Sequence, residues 1–409
     1  MSFFRLYQCM IPVVMLATTV CSPLRAEDTT FDNNLTGSWG GKRSALQNQG
    51  ITLNGEYTGF YQNARNAEYR GESNLSHRVD LFTKLDLAKL GLWAGGTLNT
   101  QLVYRDGNAN DLGFANLSVP NAGHYDDQRR VFVPSLYYTH TFSSYTQLML
   151  GKIDAFELLG QHPFFGGVGR YGFSNIAFVA PPSGVVPPAF LGLVLNHNVG
   201  DTQLTAMVFD PRNRYTETPS FHRAFDEGVN VSLGLKQPFE LAGRDSYLSL
   251  AYTFSSESGT DWNSVTDKPD NWQNTRYKYN LRAELGHQLY QRGNEHWGLY
   301  LRASIADGNP NIIEGTFAGG IGGSATMLGR PEDRWGLGVY YYNLSNDLQS
   351  SIDELPHDLK LNNEKGGELY YNYQLSGSIN ITADLQYLTP SSSNQSDAFI
   401  MGIRMNLRF

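Results

Sequence analysis

The chain has 409 residues, 41% hydrophobic, 13% aromatic and 17% charged, with a formal net charge of −8. The acidic balance argues against a nucleic-acid partner. Mean hydropathy is −0.37, and no apolar run approaches the ~20 residues that a bilayer-spanning helix needs.

In chain order, the first element is a leader. Arg5 supplies a basic start, Ile11 to Val20 an apolar stretch, and Leu24-Arg25-Ala26 a cleavage site before Glu27, the pattern of a secretory signal. The bulky Val20 disfavours a lipoprotein site at Cys21. Both cysteines, Cys9 and Cys21, fall in the leader. The exported chain therefore holds no disulfide and is stabilised by other means. Taking Arg5 and Arg25 from the 31 basic residues leaves 29 against 39 acids, a net charge of −10. In the segment that follows, Ser38 is placed to cap a short helix through Arg43 to Gln49, stopped by Gly50.

From Ile51 the sequence reads as strands, with the period-two alternation over about ten residues that marks a transmembrane strand. Val79, Leu81, Leu85 and Leu87 share one face, and Arg78, Asp80, Lys84 and Asp86 the other. Tyr279, Leu281, Ala283 and Leu285 alternate with Asn280, Arg282 and Glu284, and Ile379, Ile381, Ala383, Leu385 and Tyr387 with Asn380, Thr382, Asp384 and Gln386. Sixteen such segments are expected, beginning near Ile51, Arg78, Thr97, Val133, Thr146, Leu191, Thr202, Gly228, Ser246, Tyr277, Gly298, Glu314, Trp335, Lys365, Ser378 and Ala398.

Their connections alternate in length. Long ones run from Asp106 to Arg130, Asp154 to Phe190, Asp210 to Glu227, Ser256 to Arg276 and Ser345 to Glu364; short ones include Ser143 to Tyr145, Gly200-Asp201 and Ser376-Gly377. Outer-membrane barrels sort their loops in this way, with short periplasmic turns and long external loops. The expected fold is all-β: a 16-stranded antiparallel transmembrane β-barrel with a short N-terminal helix. It divides the chain into a signal peptide over 1–26, a periplasmic segment over 27–50 and the barrel over 51–409. A Lys or Arg facing lipid at mid-membrane costs about 2–4 kcal/mol, so charges belong on the lumen face. Tyr137-Tyr138, Tyr340-Tyr341-Tyr342 and Tyr370-Tyr371 read as interfacial girdles.

The last strand alternates Phe399, Met401, Ile403, Met405, Leu407 and Phe409 with Ile400, Gly402, Arg404, Asn406 and Arg408. An amphipathic strand ending on an aromatic resembles the signal read by the outer-membrane barrel assembly machinery. In a soluble protein it would be an apolar edge open to aggregation.

Several motifs resemble the OprB-type carbohydrate-selective porin family. They are Leu35-Thr36-Gly37-Ser38-Trp39-Gly40-Gly41-Lys42-Arg43 with Leu46 and Gly50-Ile51, Gly151-Lys152-Ile153-Asp154, and Asp210-Pro211-Arg212-Asn213-Arg214. Gly329-Arg330-Pro331-Glu332-Asp333-Arg334-Trp335-Gly336-Leu337-Gly338 and Leu385-Gln386-Tyr387-Leu388-Thr389-Pro390, then Gly402 and Phe409, complete the set. They occur in order over nearly the whole exported chain. One departure is Ser38, where the family usually has Asp. The resemblance implies a bacterial outer-membrane pore for passive diffusion of glucose-like monosaccharides, with a basic residue usual at the position of Arg105.

A barrel of this size leaves an aqueous channel that its own side chains cannot fill. The segment from Asp154 to Phe190, rich in Gly and Pro and carrying Phe156, Phe164, Phe165, Tyr171, Phe173 and Phe178, is too apolar to stand in water, so it is expected to fold inward. Sugars offer hydroxyls and no charge. A sugar pore therefore mixes guanidinium donors with carboxylate acceptors and aromatic faces. Candidate sugar-binding residues are Glu56, Arg78, Asp80, Lys84, Arg105, Asp154, Phe165, Arg282, Glu284 and Arg302. The same arginines would serve a pore for small organic acids, and a general pore, an outer-membrane barrel enzyme and a surface adhesin are the other readings.

No catalytic residues, metal or cofactor are expected. Gly320-Ile321-Gly322-Gly323-Ser324-Ala325 mimics a dinucleotide fingerprint but lies in a strand-like segment. Asp106-x-Asn108-x-Asn110 and Asp307-x-Asn309-x-Asn311 begin like calcium loops but lack Gly at the sixth position and Glu at the twelfth, so they read as Asx-rich turns. There is no HExxH and no G-x-S-x-G. A trimer and a monomer are both compatible with the sequence.

Overall fold

The structure, a computed structural model, describes residues 33–66, 70–112, 116–125, 129–159, 169–180, 182, 185–266, 271–355 and 359–409. The expected signal peptide over 1–26, Phe164 and Phe165 lie outside the described residues. Sixteen strands close into one antiparallel barrel. They are β1 (Ile51–Arg65), β2 (Arg70–Asp86), β3 (Gly96–Gly107), β4 (Arg130–Ser143), β5 (Thr146–Asp154), β6 (Ala189–Val199), β7 (Thr202–Phe209), β8 (Asn230–Leu241), β9 (Arg244–Ser255), β10 (Lys278–Arg292), β11 (Glu295–Ala306), β12 (Ile313–Ala325), β13 (Arg330–Leu344), β14 (Glu364–Ser376), β15 (Ile379–Thr389) and β16 (Ala398–Arg408). Each of the sixteen expected segments is a strand, and Ile51, Thr146, Thr202 and Ala398 are the observed first residues. β2 starts well before Arg78 because its opening, Arg70 to Asn74, is polar throughout and carries no alternation signal. The glycine-rich mimic of a dinucleotide loop lies inside β12.

Antiparallel pairing of β1 with β16, from Glu56 opposite Arg408 to Arg65 opposite Phe399, closes the sheet. An even strand count returns both ends of the barrel to one rim, where the short turns lie. The turn between β8 and β9, Ala242-Gly243, has positive φ at both residues (54° and 70°). That backbone matches the twist of a two-residue hairpin, and Gly accepts it without strain.

Side chains alternate as the pattern requires. Leu301, Leu385 and Ile403 are exposed on the outer wall, while Arg78, Asp80 and Arg404 are buried on the inner one. Such a continuous apolar band facing outward is compatible only with hydrocarbon as solvent. Strict alternation also corrects the girdle reading. Consecutive tyrosines must point to opposite faces, so Tyr138 and Tyr341 point outward whereas Tyr137, Tyr340, Tyr342 and Tyr370 are buried inside the barrel. Leu301, near the middle of β11, lies opposite Leu285 and Gly319. Leu301→Arg is expected to destabilise the barrel by about 2–4 kcal/mol, read from urea unfolding in lipid vesicles; an unchanged midpoint would refute the outward orientation.

The N-terminal helix α1 (Lys42–Asn48) starts later than the Ser38 cap implies. Gly41, at φ 87°, is its N-cap without a side-chain bond. Ser38 instead takes the Gly41 N–H on its hydroxyl at 3.3 Å and the Arg43 N–H on its carbonyl at 3.1 Å. The glycines at 37, 40 and 41 favour a left-handed turn there over an earlier helix. Arg43 is buried and donates to the Leu53 carbonyl at 2.6 Å and to Asn54 Oδ1 at 2.8 Å. This fixes the helix at the rim that carries the short turns.

Candidate functional site

The interior is filled unevenly. Two long connections fold into it, the β3–β4 connection through residues 116–125 and the β5–β6 connection through residues 169–180. They bond to each other: Ala122 N donates to the Ser174 carbonyl at 2.7 Å and Ile176 N to the Val119 carbonyl at 2.9 Å. Phe178, in the short helix α3 (Ile176–Val179), and Phe173, just before it, pack with Tyr300, Ala318, Tyr340, Tyr342 and Tyr370 of β11–β14. The inward folding expected for the second connection is present in its described part.

On the β1–β3 side the loops cover a buried charge network. Arg78 grips Asp80 with both Nε (2.8 Å) and Nη2 (2.7 Å), and Gln101 donates to the same carboxylate at 2.8 Å. Arg78 also reaches the Gly123 carbonyl at 3.0 Å. Arg170, from the inward loop, pairs with Glu157 at 2.7 Å and Glu56 at 3.5 Å. Burial opposes its charge, but Glu157, Asp80 and Glu56 outweigh that and hold the guanidinium above its ordinary pKa. Arg105, directly across from Arg78, has 0% exposure. Its guanidinium lies over the rings of Phe132 (4.7 Å) and Tyr215 (5.5 Å), an arrangement that favours a desolvated cation. Burial raises the Tyr215 pKa, keeping the phenol neutral.

The β8–β11 wall is only partly covered: Tyr247 and Arg302 are buried, whereas their neighbours keep some exposure. The register places Lys236, Ser249, Glu284 and Arg302 side by side across β8–β11, all facing inward. The next row is Gly234, Ala251, Arg282 and Ser304. Small residues thus floor a shallow trough flanked by charges. Glu284 accepts from Arg302 Nε at 3.0 Å, Tyr247 Oη at 2.9 Å and Tyr300 Oη at 3.4 Å. Lys236 Nζ stands 4.1 Å from the Tyr247 ring centroid, and Lys236, Ser249, Ala251 and Arg282 are partly exposed.

The sequence matches the family described as carbohydrate-selective porin, OprB family, over residues 71–409. The chain belongs to this family. It is an outer-membrane, sugar-selective porin; the OprB family and fold are those of passive channels, not enzymes. The high-pH structure of Pseudomonas putida OprB is 17% identical and covers 93% of this chain and 99% of that one, with a TM-score of 0.80. The low-pH structure of the same protein is 16% identical with the same coverages and a TM-score of 0.57. A loop L8 deletion mutant of OmpT, an outer membrane protein of Vibrio cholerae, is 10% identical, covering 88% of this chain and 100% of that chain at a TM-score of 0.50. No curated protein sequence matches the chain.

Against this OprB frame, the sequence-selected residues fall into separate groups. Glu56, Arg78, Asp80 and Arg105 lie together beneath the inward loops. Arg282, Glu284 and Arg302 meet on the β10–β11 wall. Lys84 faces inward, paired in register with Thr52 and Asn99, towards the rim with the short turns. Asp154 caps the short helix α2 (Ala155–Leu159), accepting from Phe156 N at 2.8 Å. The Asx motifs staple their own loops: Asn110 donates to the His124 carbonyl and Asn311 to Asp307, each at 2.6 Å. Among the described residues no group of three or more His, Cys, Asp or Glu converges to hold a metal. Sequence reasoning missed Lys236, Tyr247, Arg170 and Tyr215. Alternation alone would have pointed Lys236 and Tyr247 inward, as Leu235 and Leu248 mark the outer face. The two loop residues carry no such signal.

Proposed function

We propose that glucose-like monosaccharides cross the barrel along the β8–β11 wall, with Lys236, Arg282 and Glu284 as the sugar-contacting residues and the buried Tyr247 and Arg302 holding Glu284 in place. The observation that supports this is the trough itself: a floor of Gly234, Ser249 and Ala251 between charged donors and one carboxylate acceptor. A pyranose ring fits a small-residue floor, and its hydroxyls find donors and acceptors without burial of a net charge. Glu56, Arg78, Asp80 and Arg105, sealed under the loops, then shape the passage without touching the sugar, as do Asp154 and Lys84. Phe165, outside the described residues, stays a candidate sugar contact on its sequence alone. Liposomes containing the protein should swell in glucose faster than in an uncharged dipeptide of equal size. Equal rates would reduce the protein to a general pore.

One observation favours a second reading. The trough presents three cations, Lys236, Arg282 and Arg302, against Glu284 alone, a balance suited to a small carboxylate. Competition between glucose and a sugar acid for the same conductance block separates the two.

The same reading assigns residues 1–26 to a cleaved leader, the outer apolar band to membrane lipid and the terminal strand to the barrel assembly machinery. A chain lacking Phe409 is expected to accumulate unassembled in the periplasm; normal assembly would remove that role.

A further inference from the structure

The two inward loops do not lie loosely in the lumen. They are held to β13–β16 by an ordered set of contacts that the permeation reading does not use. Glu364 takes the Leu117 and Ser118 N–H groups on its two carboxylate oxygens, each at 2.7 Å. One turn of the ladder away, Glu368 takes the Ser174 and Asn175 N–H groups at 2.5 and 2.8 Å. Each loop thus presents two consecutive backbone donors to one wall carboxylate, a charge-assisted pairing stronger than neutral hydrogen bonds. Arg404 completes the grip on the second loop, donating to the carbonyls of Gly169 (2.9 Å) and Gly172 (2.6 Å) and to Ser174 Oγ (2.9 Å).

The wall is also shaped to receive the loop. Gly336 and Gly338 face inward on β13. A Cβ on Gly338 would stand 2.5 Å from the Phe178 ring, and one on Gly336 would stand 2.5 Å from Tyr370 and 2.9 Å from Phe173. Those separations are far below carbon–carbon contact, so only glycine leaves sockets for these rings. Because the loops are also bonded to each other, displacing one displaces both.

We infer that the two loops form a single docked body, and that Glu364, Glu368, Arg404, Gly336 and Gly338 are positioning residues that set the gap between this body and the opposite wall. This rests on the proposed path along β8–β11 for its effect on sugar, but not for its effect on pore width. The residues lie off the proposed sugar path. They fix the near side of the passage by seating the loops, while the far side is fixed by the barrel itself.

The test is planar-bilayer recording of the full-length protein carrying E364Q/E368Q, which keeps side-chain shape but removes the charge and one acceptor from each pair. Folded barrels are selected by their heat-modifiable migration. Conductance in potassium chloride is expected to rise about twofold or more, with greater open-channel noise, because a wider and less fixed constriction passes more ions. Gly338→Val, which expels Phe178 sterically and leaves every carboxylate in place, should raise the noise in the same way. If the carboxylate variant does not fold, the glycine variant carries the test alone. Folded channels with wild-type conductance and noise in both variants would overturn the inference, since a merely stabilising role lowers yield without altering open channels. Raised conductance with an unchanged glucose half-saturation would uphold the seating and count against the proposed sugar path.

Discussion

Asp80→Ala should destabilise the barrel by about 3–5 kcal/mol, because it strands a buried guanidinium. Arg78 is 2% exposed and Asp80 0%, and the carboxylate accepts from Arg78 Nε and Nη2 and from Gln101. Removing it leaves Arg78 with the Gly123 carbonyl at 3.0 Å and the Tyr215 hydroxyl at 3.4 Å, neither of which neutralises charge. Urea unfolding in lipid vesicles measures the loss. Asp80→Asn, which retains one acceptor, should fall between the two. A loss under about 1 kcal/mol for the alanine variant would mean that lumen water reaches Arg78 and screens it, as at an exposed pair.

Glu284→Gln should produce the largest change in permeation. The trough would keep Lys236, Arg282 and Arg302 and lose its only carboxylate, so the reversal potential in a salt gradient should move towards anions. The carboxylate is also the acceptor for Arg302, Tyr247 and Tyr300, which holds those donors against the wall. Hydrogen bonds to a charged group contribute about 1.5–3 kcal/mol. Loss of one such bond to a sugar hydroxyl therefore weakens glucose half-saturation about tenfold or more. Lys236→Met should move the reversal potential the opposite way. If Glu284→Gln leaves glucose unaffected but tightens a sugar acid, the carboxylate-permeant reading takes over.

The barrel was legible because its pattern is local. Leu281 out and Arg282 in, or Ile403 out and Arg404 in, can be read from neighbours in the chain, since period-two geometry fixes the face. The interior arrangement was not, because it is set by contacts between distant parts. Glu368 reaches Ser174 and Asn175 across nearly half the chain, and alternation says only that Glu368 points inward. The same limit explains Arg105. Its position at the end of β3 made it a candidate sugar contact, and alternation could not show that Phe132 and Tyr215, the latter from a loop more than a hundred residues on, stack on its guanidinium. Consecutive tyrosines were misread for the opposite reason: aromatic clustering was given more weight than the alternation that splits each pair between two solvents.

The seam between β1 and β16 has a consequence for how the molecule is made. Every other ladder joins strands that neighbour one another in the chain, whereas this one joins the two ends of the barrel, down to Phe409 N donating to the Gly55 carbonyl at 2.9 Å. Until the final strand arrives, β1 is a raw edge that can accept any passing strand as a template. Closure is also the most non-local event in the fold, and such pairings form slowly. The half-built sheet must therefore be shielded from its own kind for as long as the ring stays open.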